Sequence, residues 1–277
     1  MLIRFGFDIE FELPAPTVVT CMLYTHPCIA RSLLEPDEVR ASPDLRIKTY
    51  WDGFGNRCGR IVAPTGRLRL TNNSLLEDSG RPDIVAPEAR QLLVEDLPNE
   101  TLLYLLASRY CEVDRFSNLA WHLFGSTSTG WPRVQAVCDW VHQHVKFDYK
   151  LTHPSKSAWD VYNEKVGVCR DFQHLAITLC RCLNIPARYA TGYMGDIGIP
   201  LSADAMDFSA WFQVYLGGRW YDFDARNNIP RIGRILMATG RDAVDVALTT
   251  SFGTADLIKF VVWTDDVTET HVPAPLS

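Results

Sequence analysis

This 277-residue chain has no CxxC pair, no stripe of basic residues, no internal repeat and no low-complexity tract. It also lacks a run of about 18 apolar residues, the length a membrane-spanning helix needs. Each absence excludes something. With no cysteines at metal or redox spacing, the eight present read as buried or incidental thiols of a reducing cytosol, and no metal or other cofactor is expected. With no basic stripe and a net charge of -6, neither nucleic acid nor a membrane is an expected partner. Residues 1–10 break their apolar run with Asp8 and Glu10, so they do not read as a signal peptide, and a cytoplasmic location is the expectation.

What is present suits an ordinary globular protein. Hydrophobic residues make up 47% and charged residues 22%, and the length allows one large core or two smaller ones. Ile3, Phe5, Phe7, Ile9 and Phe11 alternate at period two, the mark of a half-buried strand. Strand patterns recur around residues 18–24, 46–51, 59–63 and 66–70, with a turn at 52–56. Residues 1–85 therefore read as a small β-sandwich-like domain, and 86–277 as a second, core domain. In the core domain, residues 101–106 and 117–124 read as short helices. Trp131-Pro132 starts a longer helix with Val134, Val137, Cys138, Val141 and Val145 on one stripe. A shorter helix is expected near 157–164, and residues 194–206, rich in Gly, Pro and Asp, read as a surface loop.

The chemistry concentrates at Gly167-Val168-Cys169-Arg170-Asp171-Phe172. Cys169 stands where a glycine-bearing turn meets a helix whose Phe172, Leu175, Ala176, Leu179, Cys180 and Leu183 share a face. A helix start carries unsatisfied N–H groups and about half a positive charge, which favours a thiolate. Downstream, residues 208–216 and 219–225 read as strands joined by Gly217-Gly218, a strong hairpin signal. A tight turn sets Leu216 opposite Arg219, Gln213 opposite Asp222, Trp211 opposite Asp224 and Ser209 opposite Arg226. Ser209 and Asp224 then share a face with alpha carbons roughly 7–8 Å apart, a gap an imidazole could bridge and a hydroxyl could not.

Taken together, the Cys169 segment, Asn184-Ile185-Pro186-Ala187-Arg188-Tyr189, Gly192-Tyr193 and the hairpin from Asp207 to Arg226 resemble the bacterial transglutaminase-like superfamily. The resemblance spans about residues 130–230. It implies an α+β, papain-like core, in which the helix carrying Cys169 packs on an antiparallel sheet, and a Cys-His-Asp triad. The family's cysteine maps onto Cys169, its aspartate onto Asp224 and its histidine onto Ser209. Serine has no group that titrates near neutral pH, so it can neither hold a thiolate nor protonate a leaving group.

Thiol acyl chemistry on a peptide, amide or ester substrate through Cys169 is the expected activity, with a non-standard triad of Cys169, Ser209 and Asp224. The competing expectation is a catalytically impaired binding module that keeps the cleft. Among other histidines, His153 is free enough to serve as a substitute base, and His174 points away from Cys169. Asp171 is expected to complement the helix dipole, and Asp222 is a rival carboxylate. Trp159, Trp211 and Trp220 are candidates to line a cleft but read more readily as packing.

Overall fold

The chain is described by a computed structural model over residues 1–151, 153–200 and 206–268. Its front half is built from strands β1 (Leu2–Leu13), β2 (Thr17–Cys21), β3 (Arg40–Ser42), β4 (Lys48–Trp51), β5 (Arg57–Ala63) and β6 (Gly66–Glu77). Period-two alternation in β1 does what the sequence requires of it. Ile3, Phe5, Phe7 and Ile9 are essentially fully buried, while Arg4, Asp8 and Glu10 line the other face and meet Glu35, Arg69 and Lys259 there. The turn at residues 52–56 forms because one oxygen of Asp52 accepts the amides of Phe54 and Asn56, each at 2.8 Å.

The middle of the chain supplies α1 (Asn99–Leu102), α2 (Val113–Phe124), α3 (Trp131–His144), β7 (Lys146–Phe147), α4 (Ala158–Glu164), β8 (Val166–Gly167) and α5 (Cys169–Cys182). The stripe of α3 expected from the sequence is buried, and so is that of α5. Strands β9 (Ala187–Met194), β10 (Ser209–Leu216), β11 (Arg219–Phe223) and β12 (Arg234–Gly240) form one antiparallel sheet in the order β11-β10-β9-β12. Helices α2 to α5 cover one face of it, against Ala210, Phe212, Val214 and Leu216. This is the α+β arrangement expected of a papain-like core.

Strands β13 (Thr249–Phe252) and β14 (Asp256–Asp266) return to the front of the molecule. β14 pairs antiparallel with β1 in a sheet ordered β14-β1-β6-β3, and β13 pairs with β2 in a sheet ordered β13-β2-β5-β4. A division at residue 85 therefore leaves two strands of the sandwich on the wrong side, because long-range ladders rather than chain order assemble it. The two sheets share one core, which also takes in Tyr193, Phe208, Ile235 and Met237 from the third sheet. Phe208, expected to open the strand at 208–216, lies before the first residue of β10 and packs toward the sandwich, with its ring 5.0 Å from Tyr193 and 6.1 Å from Phe7.

Candidate active site

Cys169 is the first residue of α5, and the chain before it is built to hold that helix start in place. Ser157 and Asp160 close a capping box on α4, with the Ser157 amide donating to Asp160 at 2.9 Å. Lys165 ends α4 in the left-handed region, and β8 then pairs parallel with β7. Asp171 reaches back to accept the Val168 amide at 2.9 Å, satisfying an orphan donor of the helix start. Its role as a partner of the helix dipole is thus also a cap. Gly167 is required here, since a Cβ on it would stand 2.6 Å from the Cβ of Asp171. Arg170 pairs with Asp171 at 3.2 Å and donates to the His153 carbonyl at 3.0 Å.

The Cys169 thiol opens on a cleft of about 680 Å³ that Ser209 also lines, together with Tyr149, Asp207, Arg226 and Arg231. The strand that ends the sandwich forms part of the wall through Thr264, Asp265 and Asp266. Burial pushes the thiol up to about 11; Arg226 pulls against this, and Asp207 adds to it. Desolvation thus outweighs the helix start, and the thiol is protonated at neutral pH. Ser209 opens β10 opposite Gly192, with its carbonyl accepting the Thr191 hydroxyl at 3.1 Å.

Asp224 lines a separate, small cavity of about 60 Å³ with Asp83, Asn228 and Arg234. The hairpin has the expected register from Leu216–Arg219 to Phe212–Phe223, and there the ladder stops. Its extension to Trp211–Asp224 and Ser209–Arg226 does not form, because Asp224 curls the chain into a turn. One of its oxygens accepts the amides of Arg226 at 3.0 Å and Asn227 at 3.1 Å. Gln173 on α5 donates to the same oxygen at 3.1 Å; the other oxygen takes the Asn227 side chain at 2.8 Å and Arg234 at 3.4 Å. Burial raises this carboxyl, but Arg234 and the amide donors outweigh it and hold the group below the usual carboxylate range. Asp224 is a saturated anion.

Gln173, not among the residues expected at the site, is the link between the helix and the hairpin. One turn beyond Cys169, it donates to the Ala210 carbonyl at 3.2 Å and to Asp224, and accepts the Ala225 amide at 3.2 Å. Its place on the buried face, in an otherwise apolar stripe, was the available signal. Arg226, expected from the sequence opposite Ser209 in the hairpin, instead sits over the Phe147 ring at 3.8 Å and faces the cleft.

Among the described residues no histidine lines the cleft. His153 turns its ring to Ser155 at 3.1 Å. His174 is fully buried, stacked on Tyr110 at 4.8 Å, and its Nε2 accepts the Ala243 amide at 3.2 Å; burial holds it neutral, well below its ordinary value. His142 and His144 meet the carbonyls of Arg226 and Tyr162. His271 lies outside the described residues. Asp222 accepts Trp211 at 2.7 Å and Gln213 at 2.8 Å, so it ties strands together. Trp159 and Trp220 pack against Phe116 and Tyr104, and none of the three tryptophans borders the cleft. Among the described residues no three His, Cys, Asp or Glu side chains form a group that could hold a metal, and no helix is long and apolar enough to cross a membrane.

A cysteine at the start of a buried helix, packed on an antiparallel sheet and open to a polar cleft, defines the papain-like class of thiol-dependent enzyme folds. The family model of the transglutaminase-like superfamily matches residues 118–225. A solved structure from Cytophaga hutchinsonii, named a "Putative Cysteine Protease", is 30% identical, with a TM-score of 0.80 over 96% of this chain and 90% of that one. The Mycobacterium leprae (strain TN) uncharacterized protein ML0607 is 26% identical over 247 residues, 86% of this chain and 87% of its own length. The chain belongs to the transglutaminase-like superfamily, a family of thiol-dependent enzymes.

Proposed function

We propose that the protein is a thiol acyltransferase or hydrolase that acts through Cys169, slowly, and on esters in preference to amides. The carrying observation is the cleft itself. Both the Cys169 thiol and Ser209 line it, with no imidazole among the described residues that border it. With the thiol at about 11, roughly one molecule in ten thousand carries a thiolate at pH 7. That thiolate adds to the acyl carbonyl, the C–O bond of the ester breaks, and the alcohol leaves with a proton from water. Water or an amine then resolves the acyl-thioester. An amide would require a strongly basic amine to depart, and Ser209 cannot protonate it. An ester asks for less.

The test is hydrolysis of a matched nitrophenyl ester and nitroanilide by the natural chain, with Cys169→Ala as control. Ester turnover that exceeds anilide turnover and disappears in Cys169→Ala supports the reading; ester turnover unchanged in Cys169→Ala contradicts it. A second reading, a binding module that keeps the cleft, draws on the same raised thiol. It predicts no acyl-thioester on Cys169 by intact mass after exposure to the ester.

A further inference from the structure

The charged groups of the cleft are unequally matched. Arg231 is 4% exposed; it donates to the Gly195 carbonyl at 2.8 Å and faces Asp196 at 3.7 Å. Asp266 accepts the Thr268 hydroxyl at 2.5 Å. Arg226 is different. Its side chain has no hydrogen bond and no ion pair among the described residues; only the Phe147 ring holds it in place. It stands close enough to Cys169 to be the foremost group favouring the thiolate. An Asp207 carboxylate borders the same cleft, yet the two do not pair. Arg226 is half-buried on the cleft wall, so its donors face the cleft and are open to an acceptor that enters it.

We propose that Arg226 is a specificity residue that receives a carboxylate carried by the acyl donor, next to the carbonyl that Cys169 attacks. This rests on the thiol-acyl reading of Cys169 and adds the substrate's charge to it. Guanidinium and carboxylate match as a two-point pair, and the contact with the Phe147 ring uses none of the guanidinium's donors. A single negative charge fits better than a phosphate dianion. The cleft also holds Asp196, Asp207, Asp265 and Asp266, which repel any anion and a dianion about twice as strongly, so only a monoanion in direct contact with Arg226 is favoured. The preferred substrates are therefore monoesters of dicarboxylic acids or esters that retain a free carboxylate near the acyl carbon.

The test needs no turnover. Iodoacetate and iodoacetamide react with a thiolate in the same way: an S–C bond forms, iodide leaves with the bonding pair, and the thiol proton goes to water. Only iodoacetate brings a carboxylate. The ratio of the two rates at Cys169, read by mass spectrometry and divided by that of N-acetylcysteine amide, is expected to be about tenfold in favour of iodoacetate. Arg226→Gln is expected to bring the ratio down to that of the free thiol, and Arg226→Lys to retain part of it. A ratio that is the same in the natural chain and in Arg226→Gln overturns the proposal. Arg226→Gln keeps the backbone amide that donates to Asp224, and circular dichroism confirms that the variant is folded. If the ratio behaves as expected while ester turnover survives Cys169→Ala, Arg226 stands and the acyl reading of Cys169 fails; the reverse pattern separates them the other way.

Discussion

At the scale of single residues, Cys169 and Ser209 carry the account. The thiol was legible in the sequence because glycine, a helix start and a periodic stripe converge on it. Ser209 was singled out by the family resemblance, which sets it at the position of the triad histidine; the hairpin register expected to carry it beside Asp224 stops at Phe212–Phe223. Legibility failed on energetics. The partial charge of a helix start favours a thiolate, but burial and the distant charges of Arg226 and Asp207, which no local pattern reveals, decide how far it prevails. Replacing Ser209 with histidine should therefore raise ester turnover by about 10²–10⁴-fold, the range of a positioned acid–base group, and bring anilide turnover into view. Steady-state kinetics on matched substrates checks this; unchanged rates would mean that Asp224, already saturated, cannot support an imidazole there. Asp224 also predicts an acid response. Its carboxyl titrates below the ordinary value in the folded chain, so it contributes stability above that ordinary value, about 4. That contribution is lost as pH falls below 4 toward the folded value. Asp224→Asn should flatten this part of the acid unfolding profile.

At the scale of elements, α5 is the part whose start must not move. Asp171 caps it from inside and Gln173 ties its second turn to the Asp224 turn. Asp171→Ala removes a buried acceptor from the Val168 amide and should cost about 1–3 kcal/mol, readable as a lowered Tm. Gln173→Leu leaves the Ala225 amide and one Asp224 oxygen short of a partner, with a loss of similar size. It should also slow Cys169 alkylation or turnover at constant fold, because the helix and hairpin lose their common clasp. The helices and the hairpin were readable from periodicity and turn residues, since both are local signals. The end of the β10–β11 ladder was not. It stops where Asp224 captures the amides of the two residues after Ala225, a choice made by side-chain chemistry rather than by alternation.

At the scale of the whole molecule, the two halves share a core and a wall of the cleft. β14 completes the sheet of β1 and also places Thr264, Asp265 and Asp266 at the cleft. The front strands were legible in the sequence but this return was not, because the partner of β14 lies at the other end of the chain and no turn sets its register. Two consequences follow for stability. A chain ending at residue 248 should lose cooperative unfolding, since Phe5 and Phe7 lose the neighbouring strand that helps cover them. The fragment 86–277 should not fold alone, as Tyr193, Ile235 and Met237 would be bared. Urea unfolding followed by circular dichroism tests both, and a fragment with a sharp transition of its own would refute the shared core.

The central claim is that this cleft keeps a nucleophile and that burial, with no imidazole to oppose it, holds the thiol protonated. The pH dependence of Cys169 carbamidomethylation, read by mass spectrometry, tests it most directly. In the natural chain the rate should climb about tenfold per pH unit through neutrality, with its inflection near 11. In Ser209→His the inflection should fall to neutral pH or below. An inflection below about 8 in the natural chain would contradict the account, because some other group would then already be ionising the thiol.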